Sequence, residues 1–128
     1  MNQTPILIVD DSSCFRLIAG EMLKEMGFSH VTQATDGDNA LELLNTQSFS
    51  LVLSDFMMER SSGLDLLRAM KNSVQLSDIP FVLVSAVSDA GVIQEALRLG
   101  ATNCILRPLA YDVFKRVVTA IIPVGMLK

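Results

Sequence analysis

Short apolar runs alternate with amphipathic stretches along the whole chain, and this alternation limits the fold more than any other feature. Ile6-Leu7-Ile8-Val9 is continuous and rich in β-branched residues, the pattern of a strand covered on both faces. Phe15, Ile18, Met22 and Met26 then recur at helical spacing as the expected inward face, and Gly27 stands where a helix-ending residue belongs. Val31–Ala34 reads as a second strand, interrupted by Thr32 and Gln33, and Asp36 can cap a helix over 39–44. A third run at 51–53 precedes a helix over 63–70 that carries Leu64, Leu67 and Met70 on one side. The fourth, 81–84, follows Pro80, which suits a strand's first position. Ser88 or Asp89 can cap a helix over 92–99 that ends at Gly100, and 104–106 forms a short fifth strand. Pro108 leads into a last helix with Val113, Val117 and Ile121 inward. Five strands alternating with five helices imply right-handed crossovers and a parallel sheet with helices on both faces, a three-layer α/β sandwich.

A chain of 128 residues, 50% apolar and 19% charged, suits one domain, here 1–128, with its own core. No repeat, low-complexity tract or linker divides it, and no effector domain is expected after the last helix. The net charge of −4 argues against direct nucleic-acid binding, which needs a basic face. The apolar runs fall far short of the ~20 residues that span a bilayer, so no membrane association is expected, and no secretory signal pattern opens the chain. Cys14 and Cys104 belong to no paired motif and read as buried free thiols in a reducing compartment. A cytoplasmic protein is expected.

In an open α/β sheet, chemistry belongs at the carboxyl ends of the strands. Strand one ends in Asp10-Asp11, strand three in Asp55, strand four in Ser85 and strand five in Arg107-Pro108. Three carboxylates on one rim repel one another and take up protons unless cations compensate. Arg107 offsets one charge, and a hard divalent cation with oxygen ligands, Mg²⁺ above all, cancels the remainder.

These residues resemble the receiver domain of two-component response regulators over nearly the whole chain. The matching stretches are Ile8-Val9-Asp10-Asp11-Ser12, Ala34-Thr35-Asp36-Gly37, Leu53-Ser54-Asp55-Phe56-Met57-Met58 with Gly63 beyond, Ile79-Pro80, Ser85-Ala86, Gly100-Ala101 and Arg107-Pro108. The resemblance implies a flavodoxin-like fold with strand order 2-1-3-4-5. It implies Asp55 as the phosphoacceptor and an Mg²⁺ site of Asp11, Asp10 (through water), Asp55 and the backbone carbonyl of Met57. Ser85 would hydrogen-bond the phosphoryl group, and Arg107 would pair with Asp55 or that group. The donor would be a histidine kinase or a histidine phosphotransfer domain docking near Cys14, Phe15 and Ile18, although Phe15 fits a core position equally well. His30 lies before strand two, away from the rim, and reads as a surface residue rather than a donor. Output would pass to an unknown partner, or to a second copy, through the face made by 92–99, Asn103–Leu106 and 111–122.

Several positions depart from the family pattern. Arg107 replaces the usual lysine with a planar, bidentate cation. Pro108 matches a proline that follows a cis peptide in the family. Cys104 stands where an aromatic residue often couples to the hydroxyl, and Glu59 replaces a common proline. Met57 and Val87 are apolar where polar residues can orient the hydrolytic water, so a long-lived phosphorylated form is expected. Arg107 and Cys104 motivate a second reading, a receiver-fold interaction module that works without phosphorylation. Two enzyme readings on this architecture fare worse. A haloacid-dehalogenase-type phosphatase needs an Asp two residues beyond Asp10, where Ser12 stands, and a flavodoxin needs a phosphate loop where Asp10 and Asp11 would repel the phosphate.

Overall fold

The computed structural model describes residues 3–58, 61–86 and 89–122. In chain order the elements are β1 (Ile6–Val9), α1 (Ser13–Glu25), β2 (Val31–Ala34), α2 (Gly37–Thr46) and β3 (Leu51–Asp55). They continue with α3 (Gly63–Lys71), β4 (Phe81–Ser85), α4 (Ala90–Leu99), β5 (Asn103–Leu106) and α5 (Tyr111–Ile121). The strands form one parallel sheet in the order β2-β1-β3-β4-β5, the flavodoxin-like arrangement.

Alternation along the strands divides the core in two. Leu7, Val9, Val52, Phe81 and Leu83 face α2, α3 and α4. Ile6, Ile8, Leu51, Leu53, Val82 and Val84 face α1 and α5. Both sets are withdrawn from water, which is why β1, β3 and β4 read as unbroken apolar runs.

Two helices depart in part from the expected stripe. Along α1 and its C-cap, Phe15 and Met26 are buried and Met22 packs at the margin as expected, but Ala19 and Leu23 join them and Ile18 is exposed. Ala19 and Leu23 extend the stripe to one side of Phe15, so the 100° step leaves Ile18 on the opposite flank. In α5, Phe114 and Val118 are buried; Val117 and Ile121 only pack at the margin, and Val113 is exposed. The larger Phe114 takes the inward direction from its neighbour. The cysteines are free, yet Cys14 is exposed and Cys104 half-buried, which corrects the expectation of two buried thiols.

Local chemistry starts and stops these elements. Ser12, Asp36 and Ser62 cap α1, α2 and α3 by accepting from the amides of Phe15, Asn39 and Asp65. Asp65 completes a capping box by accepting from the Ser62 amide. Gly100 ends α4 at φ 106°, a left-handed conformation that favours glycine. Asp89 occupies the cap position of α4 without a side-chain bond to the helix, and Ser88 lies outside the described residues. The Arg107–Pro108 peptide is cis, as expected.

Candidate functional site

Register delivers the candidate residues to one rim. Val9 pairs with Ser54, Asp55 with Val84, and Ser85 with Leu106. The next residue on β1 is therefore Asp10, beside Asp55, and the next on β5 is Arg107, beside Ser85. The Arg107 amide donates to the Ser85 carbonyl (2.9 Å).

Backbone contacts hold both acids. The Asp10 amide donates to Ala34 (3.1 Å), and the Asp10 carbonyl accepts from the Arg16 guanidinium (2.6 Å), itself tied to Gln33 (3.0 Å). The Asp55 carbonyl accepts from the Ser54 hydroxyl (3.0 Å). Beyond Asp55, the Gly63 amide donates to the Phe56 carbonyl (2.8 Å) and Met57 bridges to Ser62, so the loop returns at once to β3. A Cβ on Gly63 would stand 2.5 Å from the Asp55 carbonyl oxygen, so the start of α3 can lie this close only as glycine.

Asp10 and Asp55 form a buried acid pair with Arg107 between them. Arg107 Nη2 contacts Asp55 Oδ1 directly and lies 3.7 Å from Asp10 Oδ2. The guanidinium is carried over the Phe15 ring, 5.3 Å from its centroid, a cation–π contact. Asp10 Oδ1 accepts from the Ser12 amide (3.2 Å), whereas buried Asp10 Oδ2 has no hydrogen-bond partner. Burial, then the charge of Asp55, push the Asp10 carboxyl up to about 7. Burial also pushes Asp55 up, while the charge and hydrogen bond of Arg107 pull it back. The pair is under-compensated, and an added cation would relieve it.

That orphaned, proton-seeking oxygen is the observation on which a divalent ion fits. Among the described residues, no three His, Cys, Asp or Glu side chains stand close enough to hold a metal by themselves. Asp11 is exposed at the rim. A cation bound here needs backbone carbonyls and water to complete its shell, as Mg²⁺ commonly does. The Met57 side chain is 71% exposed and has no oxygen to offer a hard cation.

Ser85 is buried, and with Asp55, Asp89 and Arg107 it lines a cavity of about 100 Å³. Its hydroxyl donates to Asp89 Oδ2 (3.2 Å) rather than toward Asp55. Burial pushes the Cys104 thiol up, so it stays protonated at neutral pH. His30 is exposed, and its carbonyl accepts from the Ile6 amide at the far end of β1. Glu59 and Val87 lie outside the described residues. Three contributors escaped the sequence reading: Phe15 as the support of Arg107, Ser54 as the anchor of the Asp55 carbonyl, and Asp89 as the partner of Ser85. Asp89 was legible only as a helix cap, and spacing carries no signal for the other two.

The family model of the response regulator receiver domain matches residues 6–119. The chain is 32% identical over 123 residues to the "Probable chemotaxis protein CheY" of Rhizobium etli, spanning 96% of this chain and 94% of that one. It is 34% identical over 110 residues to the chemotaxis protein CheY of Pseudomonas aeruginosa, spanning 86% and 89%. Among solved structures, the receiver domain of NtrX from Brucella abortus has a TM-score of 0.85 at 29% identity, over 92% of this chain and 98% of that one. With an acid pair at the carboxyl rim of a 2-1-3-4-5 sheet and a match along nearly its whole length, the chain belongs to the response regulator receiver domains, the signalling switches of two-component systems.

Proposed function

We propose that the chain is a phosphoacceptor switch in which Asp55 takes a phosphoryl group from a phosphohistidine. The carrying observation is the buried Asp55 carboxylate, held against Arg107 beside Asp10 and opening on a cavity that Ser85 also lines. A carboxylate oxygen of Asp55 attacks phosphorus as the P–N bond to the donor imidazole breaks. The acyl phosphate forms, and the imidazole leaves with a proton from solvent. Arg107 follows the charge from the carboxylate to the phosphoryl oxygens, and the Ser85 hydroxyl donates to one of them. Asp11, Asp55 and the Met57 carbonyl, with Asp10 acting through water, would hold Mg²⁺, which supplies positive charge against the transferring group. Incubation with a small phosphodonor and Mg²⁺ is expected to add one phosphate by intact mass, and Asp55→Asn to add none; phosphate on the variant overturns the assignment.

Ile18, exposed on α1, lines a groove of about 430 Å³ together with Cys14, Phe15 and Pro108, next to Arg107. This apolar surface at the mouth of the site supports docking of a histidine kinase or a histidine phosphotransfer domain. Leu97, Leu106 and Val113 are exposed on the α4–β5–α5 face, which supports an output partner or a second copy there. The net charge of −4 supports a role without direct nucleic-acid contact. No helix among the described residues is long and apolar enough to cross a membrane, which fits a cytoplasmic switch. The exposed, apolar Met57 supports slow loss of the phosphoryl group. A Met57→Asn, Val87→Glu variant should lose it faster, and an equal decay rate counts against the idea.

One observation favours a second reading. Arg107 already reaches both acids, so the site has a resident counter-charge. A phosphorylation-independent module would bind its partner equally well with or without phosphodonor, and equally well as Asp55→Asn.

A further inference from the structure

We propose that Asp89 is a positioning residue for Ser85: it holds the hydroxyl proton in the unmodified chain and, once that proton turns to a phosphoryl group, its freed carboxylate caps α4. The proposal rests on the reading of Asp55 as phosphoacceptor.

A serine hydroxyl has one proton to give. In buried Ser85 that proton goes to Asp89 Oδ2 at 3.2 Å, and both residues line the cavity that adjoins Asp55 and Arg107. The hydroxyl cannot donate to Asp89 and to a phosphoryl oxygen at once, so modification of Asp55 sets the two acceptors in competition. A phosphoryl group of roughly −2 charge beside the hydroxyl is the stronger claimant.

Asp89 also has a use waiting for it. The caps of α1, α2 and α3 have extended backbones (ψ 118°, 179° and 164°) and side chains bonded into the first turn. Asp89 holds the same position on α4 and is among the best capping residue types. Its backbone instead sits at φ −98°, ψ 45°, and its side chain makes no bond to the helix. The bond to Ser85 accounts for the uncapped turn. Release would let the carboxylate accept from the amides of Gly91 or Val92, tightening the start of α4. Cys104 offers no aromatic ring to carry the signal, whereas Asp89 joins the site to α4 through a single side chain.

Amide hydrogen exchange at Gly91 and Val92 tests this in the full chain, before and after treatment with a small phosphodonor and Mg²⁺. Unmodified Ser85→Ala should slow exchange there about fivefold relative to the wild type, the scale of one helix cap. Phosphorylation should slow it similarly in the wild type and not in Asp89→Ala. Asp89→Ala should also accept phosphate severalfold faster, since nothing holds the hydroxyl back. Asp89→Asn, whose amide oxygen can take the same proton and then cap, should restore the wild-type pattern. Wild-type exchange in unmodified Ser85→Ala, or full protection in phosphorylated Asp89→Ala, overturns the proposal. Failure of the wild type to take phosphate overturns the phosphoacceptor reading instead, and the unmodified Ser85→Ala comparison then decides the role of Asp89 by itself.

Discussion

β3 and β5 end in the two partners of one ion pair, yet they are built differently. Every residue of β3 is buried, and sheet neighbours flank it on both sides. β5 is an outer strand of which only Ile105 is buried, and the Arg107 side chain that follows is 40% exposed. Asp10 resembles Asp55, since it ends fully buried β1 with its carbonyl clamped by Arg16. The acids are therefore fixed by the packed centre of the molecule, while their counter-charge stands on a side chain that water can reach. On that contrast, any rearrangement of the ion pair would fall to the Arg107 side chain rather than to the acids.

Substitutions can break the contrast or sharpen it. Phe81→Ala, in wholly buried β4, should cost about 3–5 kcal/mol in urea unfolding, because a large cavity opens in the core. Asp10→Asn should raise the stability of the metal-free chain near pH 8 by about 1–3 kcal/mol, since its amide can donate to Asp55 without a desolvated charge. The same variant should abolish a pH trend. An acid with a raised folded-state pKa keeps its proton longer when folded, so its contribution is full below about 4 and lost as pH rises through about 7. The wild-type thermal midpoint, measured without metal, should thus carry a downward component over that window, and Mg²⁺ should remove it. Leu106→Ala, on the exposed side of β5, should cost less than about 0.5 kcal/mol. A large loss there would mean that the rim is packed as tightly as the centre.

What the sequence disclosed follows the same division. Unbroken apolar runs announced β1, β3 and β4, and parallel connectivity then sent Asp10, Asp55, Ser85 and Arg107 to a common edge. The inward stripes of α1 and α5 were harder to read, because apolar residues stand on both flanks and only packing selects Ala19 over Ile18, or Phe114 over Val113. The site was legible as a set of residue types and illegible as a set of bonds. Periodicity places a hydroxyl at a strand end but does not say which oxygen takes its proton. It likewise gives no sign that the Phe15 ring carries the Arg107 guanidinium.

The outer strands have a consequence for self-association. β2 and β5 have four residues each, and Gln33 and Asn103 on them are exposed to water. Such short, polar borders give an incoming chain little backbone to pair with, so growth of the sheet from molecule to molecule is disfavoured. A second copy would then be met by side chains, such as Leu97, Leu106 and Val113, rather than by a continued backbone ladder.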